Sequence, residues 1–397
     1  MTHPVFPLRQ GILPAHLSSR IQAVVQQALE ERRLVGVVVL VARDGELIHQ
    51  QASGFADREQ ARPMTLDTIF RLASISKPIV STAALVLVAQ GLLGLDDSIE
   101  RWLPEFRPRL ADGRTAQITT RQLLSHTAGL SYRFFEADVD GPYAQAGVSD
   151  GMDASGISLA ENLRRIASVP LLYEPGTAWG YSLATDVLGA LIERVHGGPL
   201  DATVAQLVTG PLGMEDTGFV ARDALRVATA YVNDLPQPHR LAEGEVASPF
   251  EGAIGIRYSP ARIFDRQAFP SGGAGMAGTA QDFLRLLETL RQDGDELLPG
   301  HLIAEMARDQ TGGQTLPAAP GFGFGLGFSV LRDPALATSP ESRGTWRWGG
   351  AYGHAWCVDR AQNLSVVAFS NTLYEGMSGH FVTDLRDAVY GALKAPR

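Results

Sequence analysis

The apolar positions change their period along the chain, and each change marks an element. Over residues 17–34 they fall at helical spacing, at Ile21, Val24, Val25, Ala28 and Leu29, which predicts an amphipathic helix. Residues 35–42 form a β-branched run, Val-Gly-Val-Val-Val-Leu-Val-Ala, suited to a buried strand. Asp44-Gly45 is a tight-turn signal, and residues 46–52 return as a second strand. The most apolar run, residues 79–88, follows Phe70-Arg71-Leu72-Ala73-Ser74-Ile75-Ser76-Lys77-Pro78 and predicts a helix buried mid-protein. Pro78 suits a first turn, where its missing N–H matters little.

Residues 79–320 read as mostly helical with long irregular loops. Residues 96–103 and 119–125 predict short helices, and 158–168 and 184–196 longer ones, the last stopped by Gly197-Gly198-Pro199. Thr279-Ala280-Gln281-Asp282 has the pattern of a capping box opening a helix to residue 290. Residues 131–157, rich in Asp, Gly, Ala and aromatics, read as a loop that lines or covers a cleft. Strand signals return at 321–328, 346–350, 354–358 and 364–370, and residues 379–394 close as a helix. The fold class expected is α+β. Residues 1–77 and 321–397 build one antiparallel sheet covered by the first and last helices. Residues 78–320 form a second, helical lobe, with Ser74 at the seam.

Composition narrows the function. The 397 residues are 45% hydrophobic and 19% charged, enough for a large core. A net charge of −9 argues against a nucleic-acid surface. Residues 79–95 are too short and too often interrupted by polar residues to span a bilayer. Residues 1–10 lack a basic-then-apolar leader pattern, so a cytoplasmic protein is expected. The single cysteine, Cys357, permits no internal disulfide and reads as a small buried hydrophobe. Nine scattered histidines give no paired-ligand spacing, so neither metal nor cofactor is expected.

Three stretches carry candidate chemistry. Ser74 and Lys77 are three apart, so a helix stacks them on one face. Serine needs a base to become a nucleophile, and a partly desolvated lysine can be one. The plain alternative is an N-capping serine before a solvated lysine. Tyr181-Ser182 ends a loop just before a helix. A phenol beside an ammonium ionises more readily and can take a serine proton, although a tyrosine merely packed at a helix start fits equally. In Trp348-Gly349-Gly350-Ala351, two glycines let a substrate approach the backbone, and the Ala351 N–H can face an oxyanion. A plain Gly-Gly turn fits that stretch as well. His126 reads as a hydrogen-bonded structural histidine more than a base. Gly147-Val148-Ser149-Asp150-Gly151 matches a lipase elbow without its strand and helix. Gly273-Ala274-Gly275-Met276-Ala277-Gly278 matches a dinucleotide loop without a preceding strand.

Taken together, Ser74-x-x-Lys77, Tyr181-Ser182 and Trp348-Gly349-Gly350 resemble the family VIII carboxylesterases in order and spacing. The likeness runs through nearly the whole chain, including Trp102-Leu103-Pro104-Glu105-Phe106-Arg107-Pro108 and Pro270-Ser271-Gly272-Gly273-Ala274-Gly275-Met276. That family is similar in fold to class C serine β-lactamases and D,D-peptidases. The resemblance implies Ser74 as nucleophile, Lys77 as its partner and Tyr181 as general base. It also implies an oxyanion hole from the N–H groups of Ser74 and Ala351, and a pocket of Trp348, Gly349, Gly350 and Leu183. The expected reaction is hydrolysis of short-chain acyl esters, with a β-lactamase, D-amino-acid peptidase or acyltransferase as alternatives. Two departures from the β-lactamase pattern bear on this. Leu183 replaces the Asn of Tyr-x-Asn, and Trp348-Gly349-Gly350 replaces Lys-Thr-Gly. The amide, cation and hydroxyl that would hold a β-lactam are absent.

Overall fold

A computed structural model describes residues 9–11, 16–294 and 296–393. Residues 1–8 of the stretch read for a leader, and Lys394 at the expected end of the last helix, lie outside the described residues.

The first helix, α1 (Leu17–Glu30), buries the stripe Leu17, Ile21, Val25 and Ala28. It stops short of residue 34 because Arg32 takes a left-handed φ of 58°. Strand β2 (Gly36–Arg43) follows. Asp44 and Gly45 both take positive φ, 54° and 84°, as a primed hairpin turn requires. They return the chain as β3 (Glu46–Asp57), five residues longer than the sequence pattern indicated.

Helix α2 (Ser76–Ala89) has no polar face: all but its last two residues are buried. Ser74 lies just ahead of it in a single 3-10 turn, Ala73–Ile75, so the nucleophile candidate precedes the α-helix instead of opening it. Helices α3 (Leu159–Ser168) and α4 (Ala184–His196) match their predicted spans, and Gly197 caps α4 with φ 83°. Helix α5 (Ala280–Arg291) is capped by the Thr279 side chain, which accepts from Asp282 N.

The C-terminal strands are β4 (Phe322–Phe324), β5 (Ser329–Leu331), β6 (Trp346–Gly350), β7 (His354–Asp359) and β8 (Leu364–Ser370). The single strand expected over 321–328 is instead the start of a tight hairpin, because the chain turns at Gly325–Gly327 and Gly325 N–H donates to Phe328 O. Helix α6 (His380–Leu393) closes the fold. With β1 (Arg9–Gln10), the sheet order is β1-β3-β2-β8-β7-β6-β5-β4, and a short Arg62–Pro63 strand joins β3. All these pairs are antiparallel except β1 with β3.

β2 is buried on both sides, which is why it reads as a continuous apolar run instead of an alternating one. Val37, Val39 and Val41 join α1 and α6 in one core, while Val38, Leu40 and Ala42 join α2, α4 and α5 in another. Helix α5, from the middle of the chain, thus covers the inner face of the sheet together with α2.

Candidate active site

Four segments far apart in sequence meet at Ser74. The first is the nucleophile turn itself. Ala73, just before it, holds φ at 45°, a conformation rare for a residue with a side chain. This turn is clamped on both sides. Leu72 N–H donates to Met276 O at 2.8 Å, and Met276 N–H to Ser76 Oγ at 3.2 Å. Across the seam, His354 Nε2 lies 2.7 Å from the Arg71 carbonyl. Burial holds His354 down to about 4, so it is a neutral imidazole donating that proton.

The Tyr181 hydroxyl donates to Ser74 Oγ at 2.6 Å. Lys77 Nζ donates to the same oxygen at 3.3 Å and to Gly273 O at 2.8 Å. The lysine is completely buried, 0% exposed, which rules out the plain alternative of a solvated lysine. Its ammonium stands 4.5 Å above the Tyr181 ring and 5.4 Å from that of Tyr132. Two aromatic faces and two acceptors replace the water a buried cation loses.

Tyr181 sits at the junction of a loop and α4 and is walled by rings. His126 lies 4.9 Å from it, Tyr132 5.2 Å and Trp348 5.1 Å. His126 Nδ1 accepts from Ser182 N at 3.3 Å and lies 3.2 Å from Ser182 Oγ. Burial first, then the Lys77 charge, push His126 well below the usual histidine range, so it is a neutral strut for the tyrosine loop.

Trp348 is half-buried between Tyr181 and Phe324, the latter at 5.1 Å edge-to-face. Gly350 brings β6 against the nucleophile turn: a Cβ there would stand 2.6 Å from Leu72 O. A Cβ on Gly349 would collide with Met377. Ala351, next along, has its carbonyl accepting Tyr374 N–H at 3.1 Å. Leu183, expected in the pocket wall, is instead 0% exposed in the large core. At the start of α4 its side chain packs into that core and does not line the cleft. At the mouth, Phe135 (44% exposed) stacks at 6.1 Å on Phe250 (51% exposed) and reaches Tyr181 at 6.5 Å.

The two glycine motifs are resolved. Ser149 is buried in an irregular turn after the short Pro142–Gln145 helix, donating to Asp153 and accepting Gly151 N–H. The Gly273–Gly278 segment holds Lys77 through Gly273 O and pairs Ala277–Gly278 with Phe70–Arg71. Residue-by-residue reading gave no role to Gly273, Tyr132, His354 or Asp186. The only signal for the first was Pro270–Met276 as a stretch of family likeness.

A family model described as Beta-lactamase matches residues 21–390. Esterase EstB of Burkholderia gladioli is 52% identical over 377 residues, covering 95% of this chain and 96% of that protein. Lovastatin esterase of Penicillium rubens is 28% identical, covering 91% and 94%. Among solved structures, EstCE1, described as a hydrolase with promiscuous acyltransferase activity, superposes with a TM-score of 0.93 at 47% identity, covering 95% of this chain and 99% of that one.

Proposed function

The chain belongs to the β-lactamase family, and from that premise we propose that it is a serine carboxylesterase of family VIII acting on short-chain acyl esters. The observation that carries this reading is the triangle of Ser74 Oγ, Tyr181 Oη and Lys77 Nζ at the foot of an aromatic cleft. Tyr181 is the base in its phenolate form, and Lys77 Nζ stands 4.5 Å from its ring. The phenolate takes the Ser74 proton as Oγ attacks the ester carbonyl. The oxyanion is held by the N–H groups of Ser74 and Ala351. Tyr181 returns the proton to the leaving alcohol, leaving an acyl-enzyme on Ser74. Water, deprotonated by the same phenolate, then releases the acid.

Trp348, backed by the buried Phe324, gives the cleft a neutral, apolar character together with Phe135 and Phe250. Burying an acyl or alcohol group against such rings contributes on the order of 1–3 kcal/mol. A β-lactam carboxylate would be desolvated there without a partner. Transfer of the acyl group to an alcohol in place of water is a second reading, favoured by the likeness to EstCE1.

Incubation with a cephalosporin carrying an acetoxy ester tests the assignment. The expected product, read by mass spectrometry, has lost acetyl and kept its ring. Ring-opened product in excess would move the enzyme to the β-lactamases.

A further inference from the structure

We propose that Asp186 is a positioning residue of this site, which sets Lys77 in place through the 271–273 turn and supplies the negative charge that faces it. The inference rests on the ester-hydrolase reading above.

Asp186 lies in the first turn of α4, five residues after Tyr181, and is fully buried. Neither of its oxygens closes a hydrogen bond of ordinary geometry, and neither does the Ser271 hydroxyl. A buried carboxylate without such bonds is costly and asks for a reason. The reason stands at Gly273. A Cβ on Gly273 would be 2.9 Å from Asp186 Oδ2 and 3.5 Å from Lys77 Nζ. Carboxylate and ammonium are therefore separated by about 6.4 Å at most, close enough for opposite charges to stabilise each other. Gly273 carries no side chain and leaves that gap open. Its carbonyl accepts from Lys77, while its N–H faces the carboxylate. The turn is thus held between the two charges.

The groups facing Asp186 come from every element around it: Lys77 on α2, Arg262, Tyr132 and Asp150. Burial pushes the Asp186 carboxyl up. The Ser271 hydroxyl, then Lys77, Arg262 and the Gly273 amide, pull it back. Asp150 has no such pair of cations. Burial pushes it up to about 7, with Arg133 the cation that pulls it back. The motif that resembled a lipase elbow belongs to this assembly. A Cβ on Gly151 would stand 2.2 Å from Ser271 Oγ, so that loop presses directly on the turn. Both glycine-rich segments, silent as catalytic motifs, form the wall behind the lysine.

The test is the pH profile of kcat/KM for a 4-nitrophenyl ester, from about pH 6 to about pH 10, in the wild type, Asp186→Asn and Ser74→Ala. Turnover in the wild type and none in Ser74→Ala settles the hydrolase reading separately. Asp186→Asn keeps the shape and removes the charge. Its alkaline limb is expected to arrive about one pH unit earlier, a tenfold loss on that limb with little change near neutrality and an unchanged KM. A limb superimposing on that of the wild type overturns the proposal. So does an equal loss at every pH, which a packing role would produce. If Asp186→Asn does not fold by circular dichroism, Ser271→Ala carries the test. It should shift the limb in the same direction by less, and an unmoved limb overturns the proposal. The rate at which a fluorophosphonate labels Ser74 reads the same shift and decides the matter even if no ester tried is a substrate.

Discussion

The two faces of the sheet spend their burial differently. The outer face, under α1 and α6, joins mainly aliphatic side chains such as Leu17, Ile21, Val39, Val41, Val366 and Leu385, with a smaller polar set in which buried Asp359 accepts from Tyr390. The inner side carries aliphatic packing as well, and it also buries Lys77, Asp186, Arg71, Arg262, His126 and His354. Each of those polar groups costs desolvation, offset by carbonyls, ring faces and opposite charges. Arg71 shows the pattern: it donates to Pro260 O and Ala228 O and so pins the loop of residues 222–262 beside the nucleophile turn. One face supplies stability. The other gives some of it up to hold a serine, a lysine and a tyrosine in one geometry, and the left-handed φ of Ala73 is a local sign of that.

Substitutions on the two faces should therefore separate activity from stability. Ser74→Ala is expected to lose at least ~10⁴-fold in kcat/KM with its melting temperature unchanged, by ester assay and calorimetry. Tyr181→Phe should lower kcat by roughly 10²–10⁴-fold, again with folding intact; a near-normal kcat would leave Lys77 as the sole base. On the outer face the pattern should invert. Ile21→Ala should cost about 2–5 kcal/mol of stability in denaturant titration and leave kcat per folded molecule unchanged. The smallest effect on turnover is expected for Ser149→Ala, within about twofold of wild type, since its hydroxyl only ties an irregular turn together. An inactive but folded Ser149→Ala would exchange the roles of the two serines.

Much of the outer face could be read from the chain. Hydrophobic period alone placed α1, β2, the Asp44-Gly45 hairpin and the β7–β8 pair within a few residues. These depend on local spacing and turn chemistry. The reach of α5 onto the sheet could not be read, because its apolar stripe states only that something covers it. The same limit applies in the cleft. Ser74, Lys77 and Tyr181 announced themselves through motif and order. His354 on Arg71 O and Gly273 O on Lys77 are contacts between residues 283 and 196 positions apart, with no local signature. Leu183 was placed in the pocket because it stands at the Asn of Tyr-x-Asn, but an apolar side chain there packs into the core.

The pairing of β2 with β8 aligns Arg43 with Leu364 and Val37 with Ser370. The centre of the sheet therefore joins a strand made early to one made almost last. At about 5–20 residues per second on the ribosome, β2 exists for tens of seconds with one edge open. It is β-branched, uncharged over residues 35–42 and without proline, the composition that invites pairing with another chain. This topology gives the domain a high contact order and a slow final step. The strand that makes the sheet continuous in the folded protein is thus the stretch most exposed to aggregation during synthesis, and holding β3 against it early is the protection its hairpin turn supplies.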